Sequence, residues 1–166
     1  MKRTIAIAGV GIVAAGVFAV APTAHAEERD CRGTIGATTV DNLRVPSGAT
    51  CTLRGTRVQG TVKVETGARL DASGIRVIGN VQAEGHRNVR LVSSTVGGSV
   101  QLKQGGTATI QDNDINGDLQ SFTNRGSQTF SANTIDGNLQ CKQNVPAPTG
   151  GGNTVGGNKE DQCARL

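Results

Sequence analysis

The chain has 166 residues with 17 Lys and Arg against 13 Asp and Glu, a formal charge of +4, and an aromatic content of 2% with neither Trp nor Tyr. So few rings, and no basic block longer than two residues, exclude a base-stacking nucleic-acid binder, which needs a stacking platform and a continuous electrostatic track. The 24 glycines and 4 cysteines point instead to a chain rich in turns and closed by disulfides.

The N-terminus reads as a leader. Lys2 and Arg3 precede an apolar run from Thr4 to Ala21, followed by Ala24-His25-Ala26, which has the small-x-small form of a signal peptidase site. Residues 1–26 are therefore expected to be a signal peptide, and the protein to be secreted, extracellular or cell-wall associated. The competing reading is a membrane anchor of about 20 residues. Against it stand the alanine- and glycine-rich run, Pro22 at its end and the lack of a basic stop-transfer cluster. Loss of Lys2 and Arg3 with the leader lowers the formal charge to +2, and no membrane span is expected after cleavage.

Residues 27–39, with Cys31, are expected to form an irregular N-terminal cap. From there to residue 142 one phrase returns, a β-branched residue, any residue, Gly, any residue and an apolar residue. It appears as Val58 to Val62, Val77 to Val81, Val96 to Val100, Ile115 to Leu119 and Ile135 to Leu139. The central glycines, Gly60, Gly79, Gly98, Gly117 and Gly137, fall 19 or 20 residues apart, which marks a repeat array. Around them the pattern alternates. Val62 and Val64, Val81 and Ala83, and Val100 and Leu102 are read as inward pairs, with Lys63, Gln82, Gln101, Gln120 and Gln140 facing out.

A turn with Gly48 or Gly67 follows, then a second alternating strand with inward pairs such as Leu70 with Ala72 and Val89 with Leu91. In the coil after Ile110 this pattern loosens, and Thr129 with Phe130 are taken as the inward residues. The third face ends at Val58, Val77, Val96, Ile115, Ile135 and Val155, and two places upstream Asn113, Asn133 and Asn153 form a column. Stacked amides of Asn113, Asn133 and Asn153, and of Gln82, Gln101, Gln120 and Gln140, are expected to bond along the stack as ladders.

Residues 143–166 carry a Pro/Gly loop, expected to replace the second strand of a final coil, then a degenerate repeat at Asn153 to Asn158 and a C-terminal cap. Cys31 and Cys51 are 20 residues apart and Cys141 and Cys163 are 22 apart, so each pair falls on neighbouring coils. Strands stacked about 4.8 Å apart suit a disulfide, so the expected bridges are Cys31–Cys51 and Cys141–Cys163. A zinc site would lack both a CxxC pair and more than one histidine outside the leader.

The fold implied is all-β, a single-stranded parallel β-helix or β-solenoid with 19–20 residues per coil. A sandwich would alternate without returning Gly, Gln and β-branched residues to fixed columns. A left-handed hexapeptide helix would keep a strict period of 18, so a right-handed helix is preferred.

The segment from Gly137-Asn138-Leu139-Gln140-Cys141 through Pro146-Ala147-Pro148 to Gly157-Asn158-Lys159-Glu160-Asp161-Gln162-Cys163 resembles small secreted actinobacterial proteins of unknown function. The coils resemble those of bactofilins, a likeness of fold that implies a compact right-handed β-helix and no particular task.

The functional expectation is a secreted, non-enzymatic solenoid with a structural or surface-interaction role, without cofactor. Its partner is unknown, with cell-wall or extracellular polysaccharide or protein as the candidates. The alternative is a carbohydrate-active enzyme or glycan-binding protein using one face of the helix. Its candidate carboxylates, for acid-base work or Ca²⁺, are Asp112, Asp114, Asp118 and Asp136. Their plainer reading is structural, Asp112 and Asp114 in a turn with Asn113, and Asp118 and Asp136 as outward residues beside glycine. Glu65 and Glu84 read as a solvated like-charged pair, Arg57 and Arg76 as a small anion-contact patch, and His86 as a turn residue. An ice-binding face would need a regular Thr array, and the outward columns are read as Gln, Arg, Lys and Asp.

Overall fold

The computed structural model describes residues 27–166, and the expected leader lies outside the described residues. Among the described residues there is no helix, and 22 short strands form three parallel sheets wound into a β-solenoid of about seven turns. Each coil contributes one strand to sheet A, one to sheet B and one to sheet C, in that order.

Sheet A comprises Glu28–Asp30, Asn42–Val45, Val62–Val64, Val81–Glu84, Val100–Lys103, Leu119–Phe122, Leu139–Lys142 and Lys159–Asp161. Sheet B comprises Thr34–Ile35, Thr50–Arg54, Arg69–Ser73, Asn88–Val92, Thr107–Gln111, Gln128–Ser131 and Thr149–Gly151. Sheet C is built from the two-residue strands Thr39–Val40, Arg57–Val58, Arg76–Val77, Thr95–Val96, Asp114–Ile115, Thr134–Ile135 and Thr154–Val155.

Each strand pairs in parallel with its equivalent one coil on, so period-two alternation becomes columns. Leu43, Val62, Val81, Val100, Leu119 and Leu139 stack inside sheet A, and Leu53, Ala72, Leu91, Ile110 and Phe130 inside sheet B. Val40, Val58, Val77, Val96, Ile115 and Ile135 close the third side. A single coil buries too little apolar surface to offset about 1–2 kcal/mol of backbone entropy per residue, so the coils stabilise one another.

The glycine of the repeated phrase is required by the closeness of the stack. A Cβ on Gly79 would come within 2.7 Å of the Gly60 carbonyl oxygen in the preceding coil. The A-to-B corner uses glycine differently. Gly48 and Gly67 hold φ of 72° and 71°, in the left-handed region that other L-residues rarely adopt.

That corner changes form along the rod. In the first two regular coils the left-handed residue is three places after the last inward residue of sheet A, and Ala49 and Ala68 turn inward behind it. From Gly85 onward it comes one place earlier, at Gly85, Gln104, Thr123 and Gln143. The next residue then turns into the core, which places His86, Gly105, Asn124 and Asn144 there. His86 is 1% exposed, so it is a core residue and the expectation of a turn residue is corrected.

Two further expectations change. The corner between Ser121 and Gln128 carries one residue more than that between Leu102 and Ala108, which shifts the register. Gln128 faces inward with Phe130, and Thr129 stands outside beside Thr109. Gln128 is tolerated inside because its Nε2 donates to the carbonyls of Gly106 at 2.6 Å and Gly126 at 3.0 Å. The Pro/Gly loop does not replace the second strand of the last coil, since Thr149–Gly151 still pairs with the Gln128–Ser131 strand.

Both ends are fastened. Cys31 is bonded to Cys51 and Cys141 to Cys163, with Cα separations of 5.4 Å and 5.3 Å. Leu166 packs against the end of the core. Among the described residues the strand Glu28–Asp30 is the edge of sheet A, and it carries charged residues, a device that discourages further strand pairing.

Candidate functional site

The outer face of sheet A is the most regular surface of the molecule. One column runs in register through Asp30, Arg44, Lys63, Gln82, Gln101, Gln120, Gln140 and Glu160. The four glutamines form a one-way ladder. Nε2 of Gln82 donates to Gln101 Oε1 at 3.5 Å, Gln101 to Gln120 at 3.2 Å and Gln120 to Gln140 at 2.9 Å. Gln140 ends the series on Glu160 Oε2 at 3.0 Å.

Beside this ladder lies a groove of about 610 Å³ lined by Lys63, Glu65, Gln82, Glu84, Gln101 and Lys103 among others. Glu65 is not free on its rim. It accepts the Ser47 backbone N–H at 3.0 Å and the Ser47 hydroxyl at 3.1 Å, which hold its carboxyl below the usual carboxylate range. Arg44, 3.6 Å from Glu65, also pairs with Asp30 at 2.8 Å, and the Asp30 hydrogen bond and charge raise the guanidinium pKa further. Glu65 and Glu84 are thus not a simple like-charged pair, because Glu65 is neutralised from its own end of the rod. Lys63, Glu84 and Lys103 have no ion-pair partner among the described residues.

The four candidate aspartates are not brought into one site. Asp112 sits at the corner between sheets B and C with φ of 54°, its Oδ2 accepting from Gln111 Nε2 at 3.0 Å. Asp114 is exposed on sheet C, and with Asp112 it lines an open depression of about 490 Å³. Asp118 is half-buried, and its Oδ1 accepts the Asn138 backbone N–H at 2.7 Å and Asn138 Nδ2 at 3.1 Å, so it is a structural rung and not an outward flank. Asp136 is exposed. Among the described residues no group of three or more His, Cys, Asp or Glu side chains is placed to hold a metal ion.

The asparagine column is a buried ladder at the corner between sheets B and C. Asn133 Oδ1 accepts the Asn113 N–H at 3.1 Å and Asn113 Nδ2 at 3.0 Å, and Asn153 Oδ1 does the same for Asn133 at 3.1 Å and 2.9 Å. The Nδ2 groups of Asn113, Asn133 and Asn153 also donate to the carbonyls of Leu91, Ile110 and Phe130, each at 2.9 Å. Ser94 carries this series toward the N-terminus, its Oγ accepting from the Ile75 N–H at 3.1 Å.

Two further ladders were missed in the sequence. The residue just after each central glycine, and after Asp41 in the same place of the first coil, has a short side chain whose oxygen accepts the N–H of its equivalent one coil on, as far as the Asn158 N–H. The series is Asn42, Thr61, Asn80, Ser99, Asp118, Asn138 and Asn158. At the A-to-B corner, Asn124 Oδ1 accepts the Gly105 N–H at 2.8 Å, Asn144 Oδ1 that of Asn124 at 3.0 Å, and Gln162 Oε1 that of Asn144 at 2.8 Å. Aligning the single position after the glycine, and noting Asn124 and Asn144 one coil apart, would have exposed both.

On sheet B, Asp71 bridges Arg54 at 2.7 Å and Arg90 at 3.1 Å, and the Arg54 hydrogen bond lowers its pKa most, against a partial penalty from burial. The outward column there is Thr34, Thr52, Asp71, Arg90, Thr109, Thr129 and Thr149, so threonines are present but the charged pair interrupts them.

No family model matches the chain, and neither any curated protein nor any solved structure matches it.

Proposed function

We propose that the protein is an exported, non-enzymatic solenoid that uses the outer face of sheet A to hold a polar extracellular polymer, with cell-wall or other extracellular polysaccharide as the partner chemistry. The observation that carries this reading is the in-register array of Gln82, Gln101, Gln120 and Gln140 beside a groove edged by Lys63, Glu84 and Lys103. Amides and single charges repeated at the strand spacing suit a ligand that is itself a repeating chain of hydroxyl and amide groups. Export is supported by the Lys2-to-Ala26 leader pattern and by two disulfides, which persist in oxidising compartments. The resemblance to small secreted proteins in the last 30 residues or so points the same way. A non-catalytic role is favoured because Asp118 is occupied as a rung, while Asp114 and Asp136 are open to solvent.

The test is co-sedimentation of the purified, oxidised protein with insoluble peptidoglycan, chitin and plant polysaccharides, with soluble products assayed in parallel. Retention without product release is expected, reduced by the combined Lys63→Ala, Gln101→Ala and Lys103→Ala variant. Release of soluble sugar, or no retention on any polymer, overturns the reading.

A further inference from the structure

The outward column of sheet C reads Thr39, Arg57, Arg76, Thr95, Asp114, Thr134 and Thr154 in register. Arg57 and Arg76 occupy adjacent rungs, an arrangement of like charges that is unfavourable when nothing compensates it. Two other clusters on the rod do compensate stacked charges, the Arg44 cluster with Glu28, Asp30 and Glu65 and the Arg54–Asp71–Arg90 bridge. On sheet C, Arg57, Arg76, Asp114 and Asp136 are all exposed and none has an ion-pair partner among the described residues.

Their order is self-complementary. Counting outward from Thr95, one rung toward the N-terminus is Arg76 and one rung toward the C-terminus is Asp114. Two rungs out, Arg57 stands opposite the rung of Thr134, where Asp136 lies just past the short strand. Ile78, the exposed aliphatic of this face at 43%, follows Arg76 by two residues, and its equivalent on the Thr95 rung is Gly97.

We infer that sheet C is the interface of a homodimer, with a two-fold axis running along the strand direction at Thr95. Rotation about that axis turns one rod antiparallel to the other. It sets Arg76 against the second copy's Asp114 and brings Arg57 within reach of the second copy's Asp136. Each contact occurs twice, as an isologous interface requires. Thr95 and Gly97 at the centre allow close approach, and Ile78 is covered. The sheet A grooves remain open, so the dimer carries two of them.

Sedimentation equilibrium of the purified, oxidised protein tests this, with melting temperature as the check on folding. A dimer is expected whose dissociation constant rises at least about tenfold between 0.1 M and 1 M NaCl, where the Debye length shrinks from about 10 Å to 3 Å. Arg76→Asp and Asp114→Arg should each weaken association by about tenfold or more, because each sets like charges together twice. The double variant, with the charges exchanged, should return to within about threefold of the original. A monomer at all concentrations up to about 1 mM, or a dimer indifferent to both single substitutions, overturns the inference. So does a double variant no tighter than the singles.

Discussion

A Cβ on Gly105 would overlap the imidazole of His86, which lies over it from the preceding coil. The glycine is there to make room for the ring. Its own φ is outside the left-handed region, and the adjoining Gln104 takes that conformation with φ of 51°.

Gly105→Ala should therefore destabilise the protein by about 1–3 kcal/mol, the usual cost of overpacking a filled core. Adding His86→Ala to the same chain should recover part of that loss, giving a coupling energy of about 0.5 kcal/mol or more in a double-mutant cycle. Urea unfolding of the four proteins measures it. Simple additivity would mean that the ring does not set the requirement for glycine.

His86 also gives the fold a pH dependence. Neither ring nitrogen has a hydrogen-bond partner, and burial lowers its pKa from 6.5 to about 4, against a smaller opposing pull from the Ala83 carbonyl, whose geometry falls short of a hydrogen bond. The unfolded chain binds a proton below pH 6.5 that the folded chain refuses until about pH 4. Stability is thus fully present above pH 6.5, falls through that window and levels off below it, for a total of about 3 kcal/mol. Glu65 and Asp71, with lowered pKa values, lose their contributions only at the acidic end of the carboxylate range. His86→Leu should flatten the slope between about pH 6.5 and pH 4 and raise stability at neutral pH by about 1–3 kcal/mol, since two unpaired nitrogens disappear. Unfolding followed across that range decides the matter.

The two kinds of amide ladder should differ sharply in worth. Asn133→Ala leaves the Asn113 N–H and one of the two Asn113 Nδ2 hydrogens without an acceptor, the other still held by the Leu91 carbonyl, and leaves the Ile110 carbonyl without that donor, all inside the core. With about 1–3 kcal/mol for each orphaned buried group, the expected loss is about 3 kcal/mol or more. Gln120→Ala breaks two bonds of the half-exposed Gln column, where water can substitute, and should cost less than about 1.5 kcal/mol. Chemical denaturation of both variants measures the contrast, and equal losses would contradict it.

The repeat made the columns legible in the sequence because stacking in register turns a linear period into contacts between identical positions. Val62 over Val81, Cys31 beside Cys51 and Asn113 on Asn133 all follow from that one relation. The failures fall where the corner, and not the strand, decides which way a residue faces. A left-handed residue moved by one place turned His86 inward, and one inserted residue put Gln128 inside in place of Thr129. Neither shift alters composition or period enough to be read locally. The short acceptors after the central glycines were missed for another reason, since Asn, Thr, Ser and Asp look interchangeable with surface polarity until each is seen holding the next coil's N–H.

The glutamine column of sheet A has a direction. Every amide gives its N–H toward the C-terminal end, so the aligned amides behave as a row of small dipoles comparable in kind to a helix axis. The positive pole meets the carboxylate of Glu160, and Lys63 is the in-register neighbour at the negative pole beside Gln82. The two ends of this face are therefore chemically distinct despite the repetition between them. A polymer lying along it meets an arrow, and its two orientations on the rod are unequal.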